Sequence, residues 1–172
     1  MDVGLVDNRH MINEKEQYGG VLAGKLIKII ESRADEIAMT WYREVKDSNY
    51  VPSFKRIPQD EALRIALNVY RKLSFWLSPS SDHEVKESYI GFGASMYHRG
   101  FRMEEVVMVL ILIKRYLWLH LLDEGVMTTT NLEIYQALDL NNRVVLYFDR
   151  AIYFALSGFR EARDKERASI AS

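Results

Sequence analysis

The sequence predicts an all-α protein, a bundle of about five main helices of which the last is unusually long. Three observations carry this. Apolar residues recur at spacings of three, four and seven along most of the chain. The three prolines, Pro52, Pro58 and Pro79, all fall in apparent connections. Sustained period-two alternation and Asn-Gly or Asp-Gly hairpin turns are missing.

The first helix is expected over Val21–Lys46, with Leu26, Ile30, Ile37, Trp41 and Val45 on one apolar face. The segment "SNYVPSFKRIP" ends it. Pro58 suits the first turn of a second helix, whose positive end is favoured by Asp60 and Glu61. That helix carries Leu63, Ala66, Leu67, Tyr70, Leu73 and Leu77 inward. Ser81 and Glu84 have the spacing of a capping box that opens a third helix. Val85, Tyr89, Phe92 and Met96 face inward there, and Gly100 stops it in a left-handed conformation. A fourth helix begins near Met103. Thr130 and Glu133 form a second capping-box pattern and open the fifth. Run from Asn131 to Ala168, the fifth would be roughly 57 Å long, more than one domain of this size spans.

Length and composition set the outer bounds. A chain of 172 residues, 27% charged and 48% hydrophobic, reads as one soluble globular domain. Residues 1–19 read as a flexible polar arm without the h-region of a signal peptide. Residues 20–160 form the helical domain, and 161–172 a projecting or frayed helix end or linker. The absence of cysteine excludes disulfides, thiol catalysis and cysteine-bound metal or haem, and fits a cytoplasmic location. A net charge of -1 gives no electrostatic case for nucleic acid or an anionic membrane surface.

The stretch Val106–Ile113 is eight consecutive apolar residues. A membrane span needs about 20, and Lys114, Arg115 and His120 interrupt the apolar residues beyond Ile113. A core helix with a thin polar strip through Glu104, Met108 and Arg115 is the better reading, with Leu117 and Trp118 inside.

Four histidines are present. His10 and His83 belong to polar surroundings, whereas His98 and His120 lie in or beside core helices. A packed, hydrogen-bonded histidine is the plain reading of the latter two. A haem ligand or a phosphorylatable histidine is the sharper one. No histidines sit at i, i+4 and no Glu-x-x-His occurs, so no metal or cofactor is expected. In "GFGAS" the glycines of a helix interior mean close helix approach or a shallow place for a small ligand. Trp41, Tyr70, Tyr89, Phe92 and Trp118 could line an apolar ligand pocket. No nucleophile, base and orienter can be assembled, so no catalytic residue is assigned.

The stretches "ESRADEIAMTWYREV" (Glu31–Val45), "YRKLSFWL" (Tyr70–Leu77), "YHRGFRMEEVVMVLILIKRYLWLHL" (Tyr97–Leu121) and "VVLYFDRAIYFALSGF" (Val144–Phe159) resemble the N-terminal regulatory domain of RsbRD-type proteins, the stressosome co-antagonists. The resemblance covers about residues 20–160. It implies a bacterial, cytoplasmic, globin-like input domain without haem, which dimerises and precedes an output module such as a STAS, histidine kinase or transcription-regulator domain. Arg102 departs from the family pattern, which has a capping Ser or Thr there. No output module is present within the chain, so a truncated chain or a stand-alone relative is expected.

The reading that results is a non-enzymatic signal-input domain. Leu138, Val145, Ile152 and Phe159, spaced by seven, would form the dimer and relay face of the fifth helix, matched by Leu26, Ile30 and Ile37 of the first. The rival reading is a globin-like protein that binds haem or a small apolar ligand.

Overall fold

A computed structural model of the chain describes residues 21–125 and 130–171; the N-terminal arm, with His10, lies outside them. Among these residues the fold is all-α without a strand. The five expected helices become seven because the first two each break once.

The first break separates α1 (residues 21–32) from α2 (Ala34–Asp47). Ser32 Oγ donates to the Ile29 carbonyl at 3.0 Å, a local bond of the kind that bends helices. Arg33 sits at the bend with φ -107° and ψ 14°. The face expected from the sequence is nevertheless buried, from Leu26 and Ile30 through Ile37, Trp41 and Val45. A 3₁₀ turn at Pro52–Arg56 then places Phe54 edge-on against Trp41, ring centroids 5.4 Å apart.

The second break separates α3 (Gln59–Tyr70) from α4 (Leu73–Trp76). In a continuous helix the Asn68 carbonyl would accept from the Lys72 N–H. Here Trp76 Nε1–H takes it at 2.7 Å, and Lys72 N–H turns back to the Val69 carbonyl. The break brings both Leu73 and Trp76 into the core. Glu31 accepts from the N–H and Oγ of Ser74 at 2.8 and 2.7 Å, tying α4 to α1.

α5 (Asp82–His98) does not open with the expected capping box. Ser81 is buried, and its Oγ–H is aimed at the carbonyls of Ser78 and Trp76 at 2.8 and 3.0 Å, so it is spent upstream on the loop. The C-terminal end is as expected. Gly100 has φ 74°, its N–H meets the Tyr97 carbonyl, and the Phe101 N–H meets that of Met96. That is a Schellman closure, with Phe101 and Met96 both buried beside it.

α6 (Met103–Asp123) starts at Arg102, where no capping hydroxyl exists. Glu105 compensates. Its carboxylate is 0% exposed and accepts from Arg102 N–H at 2.8 Å, Ser53 N–H at 2.9 Å and Ser53 Oγ at 2.9 Å. Burial pushes this carboxyl up, but the three bonds and the nearby Arg102 charge outweigh it and hold it below its ordinary value of 4.5. One side chain thus caps α6 and fastens the 3₁₀ turn to it. Farther along, Leu117 and Leu121 are buried, while Trp118 is only half-buried, contrary to expectation. No helix among the described residues is long and apolar enough to cross a membrane.

α7 (Asn131–Ala171) is 41 residues long. The Thr130–Glu133 capping box forms in both directions, at 3.0 and 3.2 Å. α7 packs chiefly along α5 and also on α6. It runs parallel to α5, since Asp82 pairs with Arg150 at 2.7 Å, Gly93 faces Ala155, and Tyr97 reaches Glu166. At Gly93 an added Cβ would lie 1.8 Å from the Ala155 carbonyl oxygen, and at Gly158 one would lie 2.0 Å from that of Ile90. The two backbones touch directly through these glycines.

This packing can be tested at its glycines. Gly93→Ala and Gly158→Ala should each lower stability to urea by ~2 kcal/mol or more, as overpacking of backbone against backbone. Gly91→Ala, where nothing lies within 4 Å of the new methyl group, should be neutral or stabilising. Equal effects at the three glycines would contradict the contact. At the other end of the molecule, Glu105→Gln should cost ~1–3 kcal/mol. Because the folded carboxyl titrates below its unfolded value, its contribution is complete above about pH 5 and fades as pH falls through the folded value. The stability gap between wild type and variant in urea melts should therefore narrow below pH 4.5.

Candidate functional site

Two surfaces stand out, a cleft between α3 and α5 and the outer face of α7. In the cleft the two helices stand apart over α6. The space between them is about 450 Å³. Ile65 and Val69 of α3, Tyr89, Phe92 and Met96 of α5, and Leu110 and Ile113 of α6 form its apolar lining. Asn68, Ser88 and Ser95 line it as polar side chains, and Glu61, Arg64 and Arg99 supply its charges. Arg99 bridges the cleft by donating to Glu61, and this bond holds the Glu61 carboxyl below the usual carboxylate range. Gly91 also lines the cleft.

The five aromatic residues expected at a pocket separate. Tyr89 and Phe92 line the cleft, their rings 6.2 Å apart edge to face. Trp41 is buried against Phe54, and Tyr70 is buried with its hydroxyl donating to the Ile113 carbonyl at 2.8 Å. Trp118 lies half-buried beside the core. Sequence reasoning missed Glu61, Arg64, Asn68, Ser88, Ser95 and Arg99. Their signal is positional: residues 61, 64/65 and 68 of one helix and 88, 91/92, 95 and 99 of another recur at helical spacing with small or polar side chains. Of the two meanings weighed for the "GFGAS" glycines, close approach holds at Gly93, while Gly91 touches nothing within 4 Å and lines the cleft.

Tyr89 connects the cleft to α7. Its hydroxyl and that of Tyr147 share a buried hydrogen bond, and Trp76 stacks on Tyr147 at 6.1 Å. Burial pushes both phenols up, so both stay neutral at physiological pH.

On α7, the four heptad-spaced residues do not share one face. Leu138 is 58% exposed, Val145 and Ile152 are half-buried, and Phe159 is buried, its ring 5.2 Å from that of Tyr97. An α-helix drifts about 20° per heptad, so three heptads rotate a strict seven-residue stripe by about 60°. Of the exposed apolar residues of α7, which also include Leu132, Ile134 and Ile170, the four that share one face are Tyr135, Leu138, Leu146 and Tyr153. The matching stripe assigned to the first helix, Leu26, Ile30 and Ile37, is consumed by the chain's own core.

His83 and His98 are exposed, His98 beside the Tyr97 ring. His120 is nearly buried, with Nε2 3.5 Å from Glu124 Oε1. It lines a separate cavity of about 430 Å³ with Glu36 and Asp123. Among the described residues no group of three or more His, Asp or Glu side chains could hold a metal ion. Among the described residues no histidine lines the α3–α5 cleft, so a haem seated there would have no axial imidazole from them.

The tyrosine pair yields a measurable coupling. Tyr89→Phe leaves the buried Tyr147 hydroxyl unpaired and should cost ~1–3 kcal/mol. The double Phe variant should cost clearly less than the sum of the two single changes. Additive losses in a double-mutant cycle would show that the hydroxyls do not interact.

No curated protein and no solved structure matches the chain at a significant level. A family model does: the one described as RsbT co-antagonist protein rsbRD N-terminal domain matches residues 36–170, which takes in every helix from α3 to α6 and nearly all of α2 and α7. The chain belongs to the RsbT co-antagonist protein rsbRD N-terminal domain family.

Proposed function

We propose that this chain is a non-enzymatic input domain of a bacterial, cytoplasmic signalling protein, and that it passes a signal through α7 of a homodimer. The output module it serves is of the STAS, histidine-kinase or transcription-regulator kind. Family membership supports the regulatory role. The single observation that supports the relay is α7 itself. Its inner face is clamped on α5, its outer face carries Tyr135, Leu138, Leu146 and Tyr153 to solvent, and residues 164–171 continue as exposed helix beyond the last buried residue, Ala162.

A helix held this way behaves as a rigid lever. Apolar side chains of this size on one solvent face are stabilised by a second helix, and a second copy of α7 supplies one. A small shift or rotation at α5 would then reach the C-terminal end without local unfolding. No catalytic residue is needed for this.

Leu146→Glu with Tyr153→Glu places two charges on the proposed interface and leaves the α5 contact untouched. Sedimentation equilibrium should show a wild-type dimer and a monomeric variant of unchanged helix content. A wild-type chain that remains monomeric at high concentration, or a variant that still dimerises, would contradict the pairing.

A further inference from the structure

We infer that the cleft between α3 and α5 is a binding site for a small organic acid, a molecule with an apolar body and one carboxylate. Such a site does not depend on how α7 pairs.

Size and shape come first. A space of about 450 Å³ falls within the range of small-molecule sites, roughly 300–1,000 Å³. Its lining has the usual composition of such sites, an apolar floor with a few polar groups at the walls. The side chains of Asn68, Ser88 and Ser95 hold no hydrogen-bond partner among the described residues, so their donors and acceptors are uncommitted.

Gly91 is the second, independent observation. Glycine disfavours a helix interior, and Gly91 lies in the middle of α5. Gly93, two residues on, is required by the Ala155 backbone, but nothing lies within 4 Å of a Cβ at Gly91. Packing among the described residues gives no reason for this glycine. Its effect is to leave α5 bare where it walls the cleft, beside the Phe92 ring.

Charge selects the ligand class. Among the described residues the charged side chains lining the cleft are Glu61, Arg64 and Arg99. Glu61 is satisfied by Arg99. Arg64 pairs with Asp60 at 3.5 Å with both side chains largely exposed, a pair that contributes little, and its charge acts only secondarily on Glu61, whose bond is with Arg99. One cation is therefore in surplus at the cleft and suits a carboxylate through a charge-assisted bond. An amine would meet two arginines, and an alcohol would leave the surplus unused.

The test uses the whole chain and 1-anilinonaphthalene-8-sulfonate, an apolar anion whose fluorescence rises on binding, with decanoate, decanol and decylamine as competitors. Decanoate should displace the dye at about tenfold lower concentration than decanol, and decylamine should be weaker still. Gly91→Leu fills open space and should weaken decanoate binding at least about tenfold, with helix content and melting temperature kept. Ser95→Trp, on the same wall and exposed, serves as the second blocking variant. Arg64→Gln should bring decanoate and decanol within about threefold of each other. The inference is overturned if wild type binds none of the probes, if acid and alcohol compete equally, or if the two blocked variants bind as wild type does. In that last case the dye reports the outer face of α7, and Leu146→Glu would abolish its signal instead.

Discussion

Where α5 and α7 cross, no side chain separates them. Gly93 lies on the Ala155 carbonyl, and Gly158 on that of Ile90. A contact this close leaves α7 little freedom to rotate, because any turn about its axis would drive a Cβ into backbone. It therefore decides which residues of α7 face the core and which face water. Gln136, Leu140, Val144, Tyr147, Phe148 and Ala151 are inside, and Tyr135, Leu146 and Tyr153 are outside. The parallel course of the two helices is set by the same seating, as is the reach of Tyr147 to Tyr89. Flanking bonds, Asp82 with Arg150 and Tyr97 with Glu166, hold the ends but are solvent-exposed and add little.

The other half of the molecule is organised by one buried carboxylate. Glu105 satisfies the start of α6 and the 3₁₀ turn at once, and the turn carries Phe54 into the cluster with Trp41 and Phe101. This explains how the chain tolerates Arg102 where a capping hydroxyl would be usual: the reciprocal half of the capping box survives, and the Glu105 N–H meets the Arg102 carbonyl at 3.1 Å instead of a side chain. The cleft lies between these two assemblies. α6 provides its floor, α3 one wall and α5 the other, so Tyr89 touches the cleft on one side and α7 on the other.

Much of this was legible in the sequence, and the failures have physical causes. The all-α class, the inner face of α1 and α2, the Gly100 stop and the Thr130–Glu133 cap all rest on local periodicity or short-range hydrogen bonds. The breaks at Arg33 and after Tyr70 were not legible. The first depends on a serine turning to its own backbone, and the second on Trp76 taking a carbonyl from eight residues away. Ser81 had the right spacing for a cap but a stronger claim on it from the preceding loop. The outer stripe of α7 was misplaced because a strict seven-residue spacing drifts around a straight helix. The cleft was only partly visible, through Tyr89, Phe92 and Gly91, because its walls belong to two helices far apart in sequence, tied across it by the Arg99–Glu61 bond. Trp118 shows the same limit: hydrophobicity marked it as core, but Leu117 and Leu121 hold the inner positions.

The claim on which the rest turns is that the outer face of α7, fixed by its glycine contact with α5, is where a second copy docks. The chain has no cysteine, so a single spin label can be attached at Asp149→Cys, an exposed position between Leu146 and Tyr153 near the middle of the buried length of the helix. Packed helices lie about 8–10 Å apart, so labels on apposed copies should give one narrow dipolar distance distribution below about 30 Å, whether the helices pair parallel or antiparallel. Absence of an intermolecular dipolar signal, or a broad distribution beyond that distance, would contradict the claim.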